Sequence, residues 1–169
     1  MKNYTKKTKG NRTHGDLYNS LVEIAVEKIH KTKSTEFALR ELAIQLGVSH
    51  AAAYRHFKNK NELIEVIALR GFAKLNTFFQ QRLENSKTPL SQLGEAYIEF
   101  AIEFPGYYRV MFSSGFVETQ NPELQQASQS AFLILKNIFG ATTKVNSKRA
   151  IFSWVTVHGL SMMLIDGQL

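Results

Sequence analysis

Three prolines punctuate this chain, and each stands where a helix begins or breaks. Thr88-Pro89 and Asn121-Pro122 both pair a capping residue with proline at the first helical position, where a missing N–H costs nothing. Pro105, followed by Gly106, interrupts an apolar helical pattern. Between these marks, apolar residues recur three or four apart. No alternating strand pattern with hairpin glycines appears, and no repeat of fixed period. The fold class expected is all-α, with connections short enough for a bundle.

Eight helices follow from the pattern. Helix 1 runs from about Asp16 to His30, with Leu17, Leu21, Ile24, Ala25 and Ile29 on one face. Helix 2, about Ala38 to Leu46, turns Leu39, Leu42, Ala43 and Leu46 inward and stops at Gly47. Ser49 caps helix 3, about His50 to Phe57. Asn59 caps helix 4, with Glu62 as a capping-box-like partner. Helix 4 continues for some six turns through Leu63, Ile67, Phe72, Leu75, Phe79 and Leu83. Leu93 to Phe104 lie on helix 5, and Tyr107 to Phe112 form a short helix 6. Leu124 to Phe139 make helix 7, stopped by Gly140, and Ser147 to Ile165 make helix 8, before Asp166-Gly167.

Charge is unevenly distributed. Residues 1–60 hold 12 basic and 5 acidic side chains, whereas residues 61–169 hold 9 of each, so the whole excess of +7 lies in the first third. A localised positive field attracts polyanions such as nucleic acid, although basic N-terminal tails also serve solubility alone. Residues 1–14, with Lys2, Lys6, Lys7, Lys9 and Arg12, read as a mobile basic arm. There is no cysteine, hence no disulfide framework or thiolate metal site. The N-terminus has no apolar leader, and no apolar run reaches the roughly 18–20 residues that span a bilayer. The expected setting is the cytoplasm, with no membrane partner.

The most specific segment is 37–63, FALRELAIQLGVSHAAAYRHFKNKNEL. It spells helix, tight turn, helix: Ala43 is small where two helices cross, Gly47 suits the turn, and Val48 plugs it from behind. Helix 3 opens with Ser49, Ala51, Ala52 and Ala53, small enough to lie deep in a major groove and meet base edges. Tyr54, Arg55, His56 and Lys60 can reach phosphate oxygens on the groove walls, and the N-terminus of helix 4 aims N–H groups at a phosphate. A glycine-turn hairpin taken alone is equally ordinary packing. The added Tyr54, His56, Lys60 and local charge favour double-stranded DNA as partner.

These residues resemble the DNA-binding domain of the TetR family of bacterial repressors. The resemblance covers about residues 16–70 and rests on Leu42, Ala43, Gly47, Val48, Ser49, Tyr54, Phe57, Lys60, Glu62 and Leu63. It implies that Tyr54, His56 and Lys60 contact phosphates and that His50, Ala51 and Ala52 face bases. Many members carry a phosphate-binding Thr where this chain has Ala38; the neighbouring Arg40 could substitute. Further on, residues 97–115 and the Trp154, His158, Gly159 set resemble the TetR subgroup whose C-terminal domain is named for Trp, His and Gly. That likeness implies C-terminal helices that bind a small effector and a dimer built by the last two helices. The sequence stops at Leu169, just after helix 8, short of the final dimerisation helix of such relatives.

Aromatic and thioether residues at helical spacing in the C-terminal half read first as core. Alternatively, they line an apolar effector pocket from Phe72, Tyr97, Phe100, Phe104, Tyr108, Met111, Trp154, His158 and Met162. His158 fits a hydrogen-bonded core histidine, with a ligand contact or packing against Trp154 as the alternatives. Glu99, Glu103 and Arg109 read as a solvated face or ion pair.

Catalysis finds no foothold. His14, His30, His50, His56 and His158 form no metal-ligand pair, and there is neither a phosphate loop nor a nucleophile elbow. Ser113-Ser114-Gly115 reads as a helix-end turn. No cofactor or metal is expected, and no enzymatic activity. The expected organisation is a basic arm (1–14), a helix-turn-helix domain (15–60) and a helical ligand-binding and dimerisation domain (61–169), helix 4 linking the two. The expected function is a transcription regulator, a repressor binding a palindromic operator as a homodimer through the helix 8 region and released by a hydrophobic or aromatic effector. A nucleoid-type DNA-binding protein or a helical small-molecule-binding enzyme are the rivals.

Overall fold

The computed structural model of the chain describes residues 14–113, 121–140 and 143–169. Among these the secondary structure is helical throughout. The helices are α1 (His14–Thr32), α2 (Leu39–Leu46), α3 (His50–Tyr54), α4 (Lys60–Leu83), α5 (Pro89–Glu103), α6 (Pro105–Met111), α7 (Pro122–Ile138) and α8 (Lys144–Asp166). Residues 1–13 of the expected basic arm and the turn at Ser114-Gly115 lie outside the described residues, and α1 already begins at His14.

The first three helices form a small unit around Leu21, Val22, Ala25, Leu42, Ala43 and Phe57, all at most 1% exposed. Gly47 takes a left-handed conformation (φ 68°), which a glycine adopts without a Cβ penalty. Its N–H donates to the Ile44 carbonyl, and the Val48 N–H donates to the Ala43 carbonyl, each at 3.0 Å. Paired bonds of this kind close a helix end and turn the chain sharply. Ser49 then accepts the Ala52 N–H at 3.2 Å, fixing the start of α3. The α3 helix ends at Tyr54, earlier than expected, and Phe57 beyond it is buried and stacks on Tyr18 at 4.7 Å.

Two features of the caps differ from expectation. Thr88 makes no side-chain cap, so Pro89 alone marks the start of α5. Asn59 does cap α4, accepting the Glu62 N–H at 2.9 Å. Glu62, however, accepts from the Lys58 N–H at 2.6 Å, one residue before the position that a capping box uses. Asn121 caps α7 as expected, accepting from Glu123 and Leu124.

Helix α4 is the shared element. Its 24 residues, about 36 Å at 1.5 Å rise, start beside the helix-turn-helix and end in the C-terminal bundle. It packs against α1, α5, α6 and α7. Helix α6 wedges between α1 and α4. A Cβ at Gly106 would lie 2.5 Å from the Val26 carbonyl oxygen, so only glycine allows α6 to approach α1 this closely. Arg109 of α6 pairs with Asp166 at the end of α8, not with Glu99 or Glu103. Glu99 pairs with Arg82 instead, and Glu103 is exposed.

Candidate functional site

Two sites emerge, one at each end of α4. The first is the outer face of α3. Ser49, His50, Ala51, Tyr54 and Arg55 are exposed, Ala52 is half-buried, and Ala53 is sealed in the core. The helix thus presents two small residues, Ala51 and Ala52, between larger polar ones, and reserves Ala53 for packing. His56 is half-buried with its ring edge-on to Tyr18 at 6.2 Å. Tyr18 braces this corner: it stacks on Phe57 and carries the Arg70 guanidinium 5.5 Å above its ring, while Arg70 also bonds Asn19 at 2.7 Å. The sequence reading did not single out Tyr18, since a helix-1 tyrosine looks like any amphipathic residue.

The rim carries basic groups. Arg40 and Arg55 are exposed and make no ion pair among the described residues. Lys60 lies 3.3 Å from both Glu36 carboxylate oxygens and 3.5 Å from the Thr35 carbonyl. In this state its charge is shared with Glu36. The α4 N-terminus is also partly satisfied by the Asn59 side chain, as expected from the sequence. Ala38 caps α2 with no side chain, leaving the first N–H groups of that helix without a side-chain partner. Lys58, exposed and adjacent to α3, is a further cation that the sequence reading passed over.

The second site is a partly open cavity of about 850 Å³ bordered by α4, α5, α7, α8 and the end of α6. Of the residues expected to line it, Phe72, Tyr97, Met111, Trp154 and His158 do so. Phe100, Phe104, Tyr108 and Met162 do not. Phe100 and Phe104 pack against Phe78, each with ring centroids 5.8 Å away, and Lys74 sits 4.8 Å above the Phe104 ring. Tyr108 is fully buried behind the wall, and Met162 packs half-buried on the core. Phe112, one of the aromatic residues at helical spacing in the C-terminal half, also lines the cavity, and so do Phe132 and Phe152, which the sequence pattern did not single out. Phe132 stands 5.6 Å from Trp154 and Phe112 4.8 Å from His158, contacts between helices that no single-helix periodicity shows.

One wall carries a polar cluster. Nδ1 of His158 lies 2.7 Å from the Tyr108 hydroxyl and 2.9 Å from the Tyr97 hydroxyl. The Trp154 Nε1–H donates to the Tyr97 oxygen at 3.3 Å. Burial pushes the Tyr108 phenol up to about 12 and the Tyr97 phenol upward as well, so both stay protonated donors. Burial also lowers the pKa of His158, keeping its ring neutral. The single Nδ1 lone pair can accept one of these hydroxyl protons, and in that tautomer the neutral ring carries its own proton on Nε2.

An outward helix-turn-helix joined by one long helix to an α-helical domain with an apolar cavity defines a DNA-binding regulator. Residues 34–67 match the family model of the tetR family of bacterial regulatory proteins, and residues 90–169 match that of the tetracyclin repressor-like C-terminal domain. A curated relative, nucleoid occlusion factor SlmA of Marinobacter nauticus, is 29% identical over 115 residues, spanning 65% of this chain and 58% of that protein. A structure of a protein of unknown function from Rhodococcus sp. RHA1 superposes with TM-score 0.75 at 21% identity, covering 98% of this chain and 89% of that one. A tetR-family regulatory protein from Rhodococcus RHA1 gives TM-score 0.70 at 16% identity, over 88% and 83%. The chain belongs to the TetR family of DNA-binding transcription regulators. Among the described residues no helix is long and apolar enough to cross a membrane, and no group of His, Cys, Asp and Glu is arranged to hold a metal.

Proposed function

We propose that the protein is a repressor that binds a palindromic operator as a homodimer and leaves it when a small apolar effector fills the cavity. The observation that carries this reading is the outward α3, with Ala51 and Ala52 framed by His50, Tyr54 and Arg55. In this reading His50, Ala51 and Ala52 meet bases, while Arg40, Ser49, Tyr54, Arg55, His56 and Lys60 hold phosphates, Lys60 exchanging Glu36 for DNA. Residues 15–60 read DNA, residues 61–169 bind ligand and dimerise, and the basic arm adds backbone contacts. Trp154, His158 and Gly159 support a place in the Trp-His-Gly subgroup. The setting is the cytoplasm, and the chain performs no catalysis.

Dimerisation draws support from α8. Ile151, Phe152, Val155 and Met163 are exposed on it, Phe152 at 73%. A contiguous apolar face of this kind marks an interface. Two copies would set their α3 helices about 34–36 Å apart, in successive major grooves. Release draws support from α4, because Phe72, Leu75 and Phe79 line the cavity on the same helix that begins at Lys60. A ligand that favours a dimer with misplaced α3 helices shifts the population off DNA.

The test is selection of bound fragments from a random DNA pool, followed by footprinting with and without candidate effectors. A single protected palindrome supports the reading. The likeness to a nucleoid occlusion factor gives the nucleoid-type alternative its footing. Broad protection without a shared sequence would favour it.

A further inference from the structure

We propose that the cavity takes an uncharged, largely apolar molecule carrying a hydrogen-bond acceptor, which docks on the Nε2–H edge of His158. The inference rests on the reading of the cavity as the effector site and names the chemical class that it admits.

Three observations converge. First, the described lining holds no lysine or arginine. A ligand carboxylate or phosphate would therefore lose its water without gaining a cation, and ions leave water only when paired. Second, the described lining has one carboxylate, Glu95. It is exposed and already accepts from the Ser91 hydroxyl at 2.9 Å and the Gln92 amide at 3.3 Å. That leaves little to attract an organic cation into the apolar interior. Third, the Tyr97, Tyr108, Trp154 and His158 cluster is satisfied internally except at one ring nitrogen, and the other uncharged polar groups on the lining include Ser153 and Gln129. The Tyr97 and Tyr108 hydroxyls converge on Nδ1 of His158, and the Trp154 N–H is taken by Tyr97. His158 borders the cavity, and its Nε2 makes no hydrogen bond among the described residues. A few uncharged donors in a largely apolar chamber, the His158 ring edge among its aromatic wall, select a ketone, ester, ether or nitro group on a hydrophobic body. The volume, about 850 Å³, falls in the range of roughly 300–1,000 Å³ that encloses drug-sized molecules.

The experiment uses the full chain and the emission of Trp154, its sole tryptophan and a cavity residue. Four para-octylbenzenes of matched shape are titrated near neutral pH, bearing an acetyl, a methyl, a carboxylate or an aminomethyl cation, with calorimetry as a second readout. The acetyl compound is expected to bind at least about tenfold more tightly than each of the other three. In His158→Phe the acetyl and methyl compounds should converge to within about threefold while the methyl compound still binds. If that variant fails to fold, the ranking on the unmodified protein decides alone. Equal or tighter binding of the carboxylate, the cation or the methyl compound overturns the proposed class but leaves the effector site standing. Failure of all four to bind overturns both.

Discussion

The Tyr108 hydroxyl sits 2.7 Å from Nδ1 of His158, tying the short α6 to the middle of α8 behind the cavity wall. Their rings also stack at 5.5 Å. The pair links two helices that reach the DNA-binding half by separate routes. Helix α6 meets α1 at Gly106, and the end of α8 meets Lys33, whose Nζ donates to the Asp166 carbonyl at 2.9 Å.

The pH dependence of stability follows from this pair. The folded-state pKa of His158 lies below its ordinary value of 6.5 because the ring is buried. The unfolded chain therefore binds a proton first as pH falls. The neutral ring costs nothing above 6.5, and stability drops as pH falls from 6.5 toward the folded-state value. His158→Gln should flatten that part of the curve. Urea midpoints measured across this range check it, and parallel curves for the two proteins would contradict it.

Gly106→Ala should destabilise the fold by about 1–3 kcal/mol, because the obstacle is the Val26 backbone, which cannot turn aside. Gly71→Ala should cost less. Its Cβ would meet the Met111 thioether at 2.5 Å, a flexible group able to move. Denaturant unfolding of the two variants gives the order directly.

In the proposed interface Glu36 competes with DNA for Lys60. Lys60→Ala should weaken binding to every sequence and lower the salt slope by about one unit. Glu36→Gln should act in the opposite direction, tightening binding by about two- to fivefold at low salt by releasing Lys60. Anisotropy titrations over a range of salt concentrations report both. An unchanged slope in Lys60→Ala would remove Lys60 from the interface.

Ala52 should set sequence preference. Replacing it with a bulky residue such as Gln adds a side chain at the half-buried shoulder of α3 and should change the selected bases without abolishing binding. Binding-site selection on the variant reads this, and an identical consensus would place Ala52 away from the bases.

Local rules carried much of the fold into view. The Gly47 turn and the Ser49, Asn59 and Asn121 caps depend on residues within four positions of one another, and all were legible. Helical periodicity also separated buried from exposed faces. It could not say which of several inward directions a residue takes. Phe100 and Phe104 are inward, yet they face Phe78 rather than the cavity. Phe152 lines the cavity from a position 73% exposed. Arg109 finds Asp166 at a separation of 57 residues, and Lys60 finds Glu36 at 24, pairings fixed by tertiary packing alone.

The most direct measurement is the operator affinity of Ala51→Asp, which places one negative charge on the exposed face of α3 without touching the core. The account predicts a loss of at least about a hundredfold, with thermal unfolding unchanged, because a carboxylate there meets base edges and phosphates. Undiminished operator affinity in a folded Ala51→Asp protein would contradict it.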